Sequence, residues 1–156
     1  MNALVNLIHN YLLVSAAASW LLAQICKVFT GIFRERNFSI ISLLTGTGGM
    51  PSSHSACVTA LAVSSALRFG LGSPHFAITT ILALVVMRDA SGVRREAGKQ
   101  AKVLNQMIRE LFTSNDEKTF QADLKELLGH TPLQVFVGAL LGGIVALCLW
   151  PIFSAF

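Results

Sequence analysis

Charge is what this sequence has least of, and its placement says more than its amount. Only 13% of the 156 residues are Asp, Glu, Lys or Arg, against roughly a quarter in a soluble domain. Residues 1–26, 37–67, 69–87 and 127–156 contain none at all. All eight acidic and all twelve basic residues fall within 27–36, at Arg68, or within 88–126. A charge at mid-bilayer is expensive, so a chain that spans lipid must confine its charges in this way. A soluble protein with a large apolar core has no such need. Cysteine is scarce as well. Cys26, Cys57 and Cys148 lie in or beside apolar segments without paired spacing. That excludes a disulfide framework or a cysteine-rich metal site and leaves them as small buried residues. A basic start is also missing: Met1–Leu22 carries no Lys or Arg, and Lys27 follows the apolar run, so no cleaved signal peptide is expected.

What is present is 53% hydrophobic residues with a mean hydropathy of +0.62. The length suits one domain, 1–156, with no internal repeat. The expected fold class is all-α: an integral membrane bundle of about four helices, with an amphipathic helical insertion between the third and fourth. The first helix is predicted from near Val5 to about Phe33, with Tyr11 and Trp20 on its flanks. A Gly-rich connection ends at Gly49, and Pro51 starts a second helix running through Ser53–Phe69, because Pro suits a first helical turn. Gly70, Gly72 and Pro74 stop it. The third apolar segment, His75–Met87, covers only about 20 Å as a helix. It must extend into its flanks, sit in thinned bilayer, or be half-buried in protein. Pro132–Trp150 is the clearest span.

Between the third and fourth segments lies a polar insertion, Arg88–Glu126, within the site-face stretch 88–131. Ala97, Ala101, Leu104, Ile108 and Leu111 recur at helical steps, marking an amphipathic helix on the bundle or on the membrane surface. Thr113–Thr119 reads as a loop, and Phe120, Leu124 and Leu127 begin a shorter helix. Four spans put eleven of the twelve Lys and Arg on one side, with Arg68 alone across from them. The positive-inside rule makes that side cytoplasmic, in a multi-pass protein of the cell membrane.

Three elements on the charged face can carry chemistry. In the first, Gly48-Gly49 leads into Pro51-Ser52-Ser53-His54. A helix start of this kind offers backbone N–H groups, hydroxyls and the positive end of a dipole to an anion. The same residues also make an ordinary N-cap with an incidental histidine, and both readings stand. The second is Gly129-His130-Thr131-Pro132, again a helix mouth. One such histidine is more often a polar cap than a catalyst, and two at two helix starts on one side shift that balance. The third is a group of bases: Lys27, Arg34, Arg36, Arg88, Arg94, Arg95 and Lys99. Lys99 and Lys102 suit anionic headgroups. Asp89-Ala90-Ser91-Gly92-Val93-Arg94-Arg95 instead offers two adjacent guanidiniums for phosphate oxygens.

Pro51-Ser52-Ser53-His54 resembles the Pro-Ser-Gly-His motif of the phosphatidic acid phosphatase type 2 superfamily, which includes the vanadium haloperoxidases. Gly129-His130-Thr131-Pro132, followed by Val135, Gly138-Ala139 and Gly142, resembles the stretch carrying that superfamily's nucleophilic histidine. Lys27 and Arg34 resemble its Lys–six residues–Arg element, with Arg36 competing for the second place. Taken together, GGMPSSHSA, DASGVRREAGKQA and LLGHTPLQV are most similar to its divergent branch of small bacterial and plastid membrane proteins, over nearly the whole chain.

The resemblance implies a phosphomonoesterase working through a phosphohistidine. His130 is then the nucleophile and His54 the general acid. Lys27, Arg34 or Arg36, Ser52, Ser53, Arg94 and Arg95 are the phosphate ligands, with Asp89 and Gln134 supporting. It implies no metal and no cofactor, since protein cations neutralise the phosphate. The expected partners are membrane lipids and an amphiphilic lipid or isoprenoid phosphate, with no nucleic acid. Two departures stand out. The superfamily's Arg six residues before the histidine is Leu124 here, and its Asp four after is Gln134. Arg94 or Arg95 can replace the first across the insertion. Gln134 accepts a hydrogen bond but lacks the charge that steadies an imidazolium, and Asp89 is a candidate substitute. Two helices of the larger members are absent too, which leaves a homodimer open. The competing expectations are a scaffold or headgroup-binding protein without turnover, and a metal site built from His54, His130 and Asp89.

Overall fold

A computed structural model describes residues 3–34, 50–112 and 129–155, without the side chains of 3, 4, 31–34, 94 and 109–112. The predicted loop at Thr113–Thr119, the short helix from Phe120, and Arg36 and Leu124 lie outside the described residues. The described residues form six helices: α1 (Ala3–Ile8), α2 (Tyr11–Arg34), α3 (Ser53–Phe69), α4 (Pro74–Ser91), α5 (Val93–Phe112) and α6 (Pro132–Ser154). No strand occurs among them. Three stretches are long and apolar enough to cross a membrane: Tyr11–Thr30, Pro74–Ile108 and Pro132–Ser154.

The single first helix predicted from Val5 to Phe33 is in fact two. Asn10 breaks it, its Oδ1 accepting the Leu13 N–H at 3.2 Å to cap α2, because a short amide side chain competes with the backbone ladder. Pro51 does not open α3 either. Ser52 is the N-cap and takes the Ser55 N–H on its Oγ, so the first helical residue is Ser53. The third segment extends into its flanks. Ser73 caps it, Pro74 occupies its first turn, and it runs to Ser91, about 27 Å at 1.5 Å per residue. The polar insertion therefore begins inside a helix, with Arg88–Ser91 completing α4.

α3 sits in the centre, packed against α2, α4 and α6. Its buried residues are all small: Ser53, Ser55, Ala56, Ala60, Ala62, Ser64 and Ser65. The face of α2 turned inward repeats at four-residue steps as Ser15, Ser19, Ala23 and Lys27. Large apolar side chains point outward instead, among them Leu21, Phe29, Ile78, Ile81, Phe136, Ile144 and Leu147. Lipid removes the water that drives large side chains into a soluble core, so the helices associate through close backbone approach and hydrogen bonds. Gly138 and Gly142 of α6 lie so near α3 that a Cβ would overlap the carbonyl oxygens of Ser52 and Ala56. Ser19 donates to that same Ala56 carbonyl at 3.1 Å. Tyr11 is a bundle residue and not a flank: its hydroxyl donates to the Ala146 carbonyl at 2.7 Å, with Trp150 and Phe153 rings 5.4 Å away. Of the cysteines expected to be buried, Cys26 and Cys57 are half-buried and Cys148 is exposed; all three are free. A thiol on an outward helix face in lipid needs no burial in protein.

Candidate active site

The bundle gathers four helix ends at one face: the C-terminal ends of α2 and α4 and the N-terminal starts of α3 and α6. Two main-chain hydrogen bonds join them. The Ser52 N–H donates to the Gln134 carbonyl at 3.1 Å, and the His130 N–H donates to the Ala90 carbonyl at 3.0 Å. The two motifs, separated by 74 residues in the sequence, are thus held directly against each other, and His130 sits beside the end of α4 that carries Asp89.

Thr131 and Gln134 form a capping box at the start of α6. Gln134 donates its N–H to Thr131 Oγ1 at 3.3 Å and accepts the Thr131 N–H on Oε1 at 2.9 Å. That Oε1 also faces His130 Nδ1 at 3.3 Å. An amide oxygen can only accept, so the contact favours the tautomer with hydrogen on Nδ1 and the lone pair on Nε2. Gln134 therefore meets the His130 ring with an uncharged acceptor that is itself fixed by the cap. His130 is only 4% exposed, while His54, in the first turn of α3, is exposed.

Lys27 is 2% exposed, and its ammonium donates to Ser53 Oγ at 3.2 Å. No carboxylate pairs with it among the described residues. Burying a cation without a counter-ion is costly, so such a group is poised for an anion. Ser52 and Ser53 are both buried, and the Ser52 hydroxyl is engaged as the cap, accepting from Ser55 Oγ at 3.0 Å. Arg95 and Asp89 are half-buried at the α4–α5 junction, where Gly92 turns the chain. The side chains of Arg34, Arg36 and Arg94 are outside the description. Among the described residues, no three His, Cys, Asp or Glu side chains are grouped to hold a metal.

Thr30 went unnoticed in the sequence. Its hydroxyl donates to the Met50 carbonyl at 2.8 Å and ties the segment before the Pro-Ser-Ser-His motif to α2. Its position three residues after Lys27, on the same helical face, was the available signal.

The Divergent PAP2 family matches residues 8–145 of this sequence. The chain belongs to that family. An uncharacterized membrane protein of Bacillus subtilis (strain 168), YuiD, is 44% identical over 153 residues, covering 92% of this chain and 96% of the relative. No solved structure matches the chain significantly. This Divergent PAP2 protein is thus a membrane protein in which the two histidine-bearing helix starts meet at one end of the bundle.

Proposed function

We propose that this protein is a phosphomonoesterase acting on a lipid or isoprenoid phosphate through a phosphohistidine. The observation that carries the reading is the buried Lys27 ammonium, bonded to Ser53 and without a carboxylate partner among the described residues, against a helix start fastened to the one that orients His130. In the first step His130 Nε2 attacks phosphorus in line. The N–P bond forms as the ester P–O bond breaks, and His54 gives its proton to the departing alkoxide. Lys27, Arg95, Arg94, Arg34 or Arg36 and the α3 helix start balance the charge on the equatorial oxygens. In the second step His54 takes a proton from water, which displaces His130 from phosphorus and releases inorganic phosphate.

The first test is phosphate release from a panel of lipid phosphates by purified protein in detergent, with and without EDTA. Turnover on at least one long-chain monoester, unaffected by chelation, is expected. Vanadate, which resembles phosphate and its trigonal-bipyramidal transition state, should raise the melting temperature of the wild type, and Lys27→Met should remove most of that shift. A protein that vanadate does not protect lacks the anion site.

A second reading rests on Gln134. With an amide where a carboxylate would steady the imidazolium, the site in this reading binds anions and does not turn over, which predicts vanadate protection without phosphate release. For orientation, we propose that the site face is cytoplasmic, following the eleven-to-one split of Lys and Arg. In intact cells a cysteine introduced by Ser114→Cys, on a cysteine-free background, should resist an impermeant maleimide. One introduced by Ala155→Cys should react. The opposite result would invert the topology.

A further inference from the structure

α5 carries a surface that the site does not use. It begins one residue after α4, with Gly92 between them. The stretch Pro74–Ile108 is 35 residues long, about 52 Å as a helix against a hydrocarbon core of ~30 Å. Since α4 by itself covers about 27 Å of that thickness, α5 starts near the level where the membrane meets water.

Three faces separate around α5. Gly98 and Asn105, seven residues apart, are buried. Val93, Val103, Leu104 and Met107 are 69%, 53%, 48% and 53% exposed, and a turn of about 100° per residue brings them into one arc of ~100°. Arg95, Lys99, Lys102 and Gln106 share a neighbouring arc. Two exposed polar residues, Glu96 and Gln100, also fall within the apolar arc, and the Glu96 carboxylate is drawn toward the basic side by Lys99 at 2.7 Å. Over its length α5 carries five bases against two acids.

We propose that α5 lies in the interfacial layer of an anionic leaflet. Val93, Val103, Leu104 and Met107 turn to the acyl chains, while Lys99 and Lys102 reach the acidic headgroups. Charge complementarity selects this occupant: an exposed apolar arc at the bilayer edge, flanked by excess positive charge, matches negatively charged lipid. The long stems of the two lysines let their ammonium groups rise to the phosphates while the arc beside them stays immersed. Gly92, at the junction, leaves helical geometry with φ −107° and ψ −88°, and a Cβ there would meet the Arg88 carbonyl oxygen.

The test uses the full chain with Cys26→Ser, Cys57→Ala and Cys148→Ala, its folding checked by size exclusion. Single spin labels are placed through Leu104→Cys, Met107→Cys, Lys102→Cys or Gln106→Cys, in nanodiscs of phosphatidylcholine with or without phosphatidylglycerol. Labels at 104 and 107 should be reached by oxygen and shielded from a polar nickel reagent, with the reverse at 102 and 106. Phosphatidylglycerol should increase the docked population at 104 and 107. Lys99→Gln and Lys102→Gln should each lower the docked-to-undocked ratio about fivefold. Equal nickel access at all four positions overturns the proposal, and so does indifference to lipid charge. Dipolar broadening between labels at 107 also overturns it, in favour of a second copy of the chain. None of these readings depends on hydrolysis, so the proposal stands or falls apart from the phosphatase activity.

Discussion

His130→Ala is expected to abolish phosphate release from every substrate, whereas His54→Ala should spare those whose leaving group needs no proton. The first substitution removes the atom that forms the N–P bond, so no choice of ester restores the covalent route. The second removes only the proton donor. p-Nitrophenyl phosphate departs as a stable phenolate, while a long-chain alkyl phosphate must leave as a strongly basic alkoxide. General acid catalysis is ordinarily worth ~10²–10⁴-fold, and the ratio of the two rates in His54→Ala should shift by that order. His54 is exposed in the first turn of α3, so its truncation leaves the bundle packing intact. His130 is buried, so its variant needs a folding check; retained protection by vanadate would serve. Should the wild type bind vanadate yet hydrolyse neither ester, and both variants bind it equally well, the enzyme must be given up for the scaffold.

Gly142→Ala is expected to loosen the whole bundle, and Gly143→Ala, one residue on, to leave it as stable or slightly more so. A Cβ at Gly142 would overlap the Ala56 carbonyl oxygen, and both groups are backbone that cannot swing away. At Gly143 nothing lies within 4 Å, so alanine adds helix propensity of up to ~1 kcal/mol. Overpacking a tight contact costs about 1–3 kcal/mol. Here the cost extends further, because separating α3 from α6 also weakens the Ser19 bond to the Ala56 carbonyl. Melting followed by size exclusion in one detergent should rank Gly142→Ala well below wild type and Gly143→Ala at or above it. Gly138→Ala links packing to the site. Its Cβ would press on the Ser52 carbonyl, in the residue whose N–H holds Gln134. Loss of vanadate protection should therefore exceed the loss of stability. Equal melting of the 142 and 143 variants would mean that the α3–α6 contact is looser than described.

The membrane class, the helical composition and the two histidine motifs were legible from the sequence alone, for a simple physical reason. Confining charge and placing Pro, Ser and Thr at helix starts are local requirements, written into neighbouring residues. The amphipathic period of α5 is local too. What only tertiary structure decided were the relations between distant segments. Lys27 reads as one base among many until α2 and α3 pack and bury it against Ser53. Gln134 reads as a lost carboxylate until its two oxygens are followed, the side-chain one to the Thr131 N–H and the His130 ring, the main-chain one to Ser52. Ser53–Phe69 reads as one span among four, yet it is the central helix, recognisable only once the others surround it, because its Ala and Ser residues signal burial in protein rather than contact with lipid. Asn10 was a missed local cue, a cap inside an apolar run. Close approach of backbones depends on which small residues face each other, and that pairing is a property of the folded bundle.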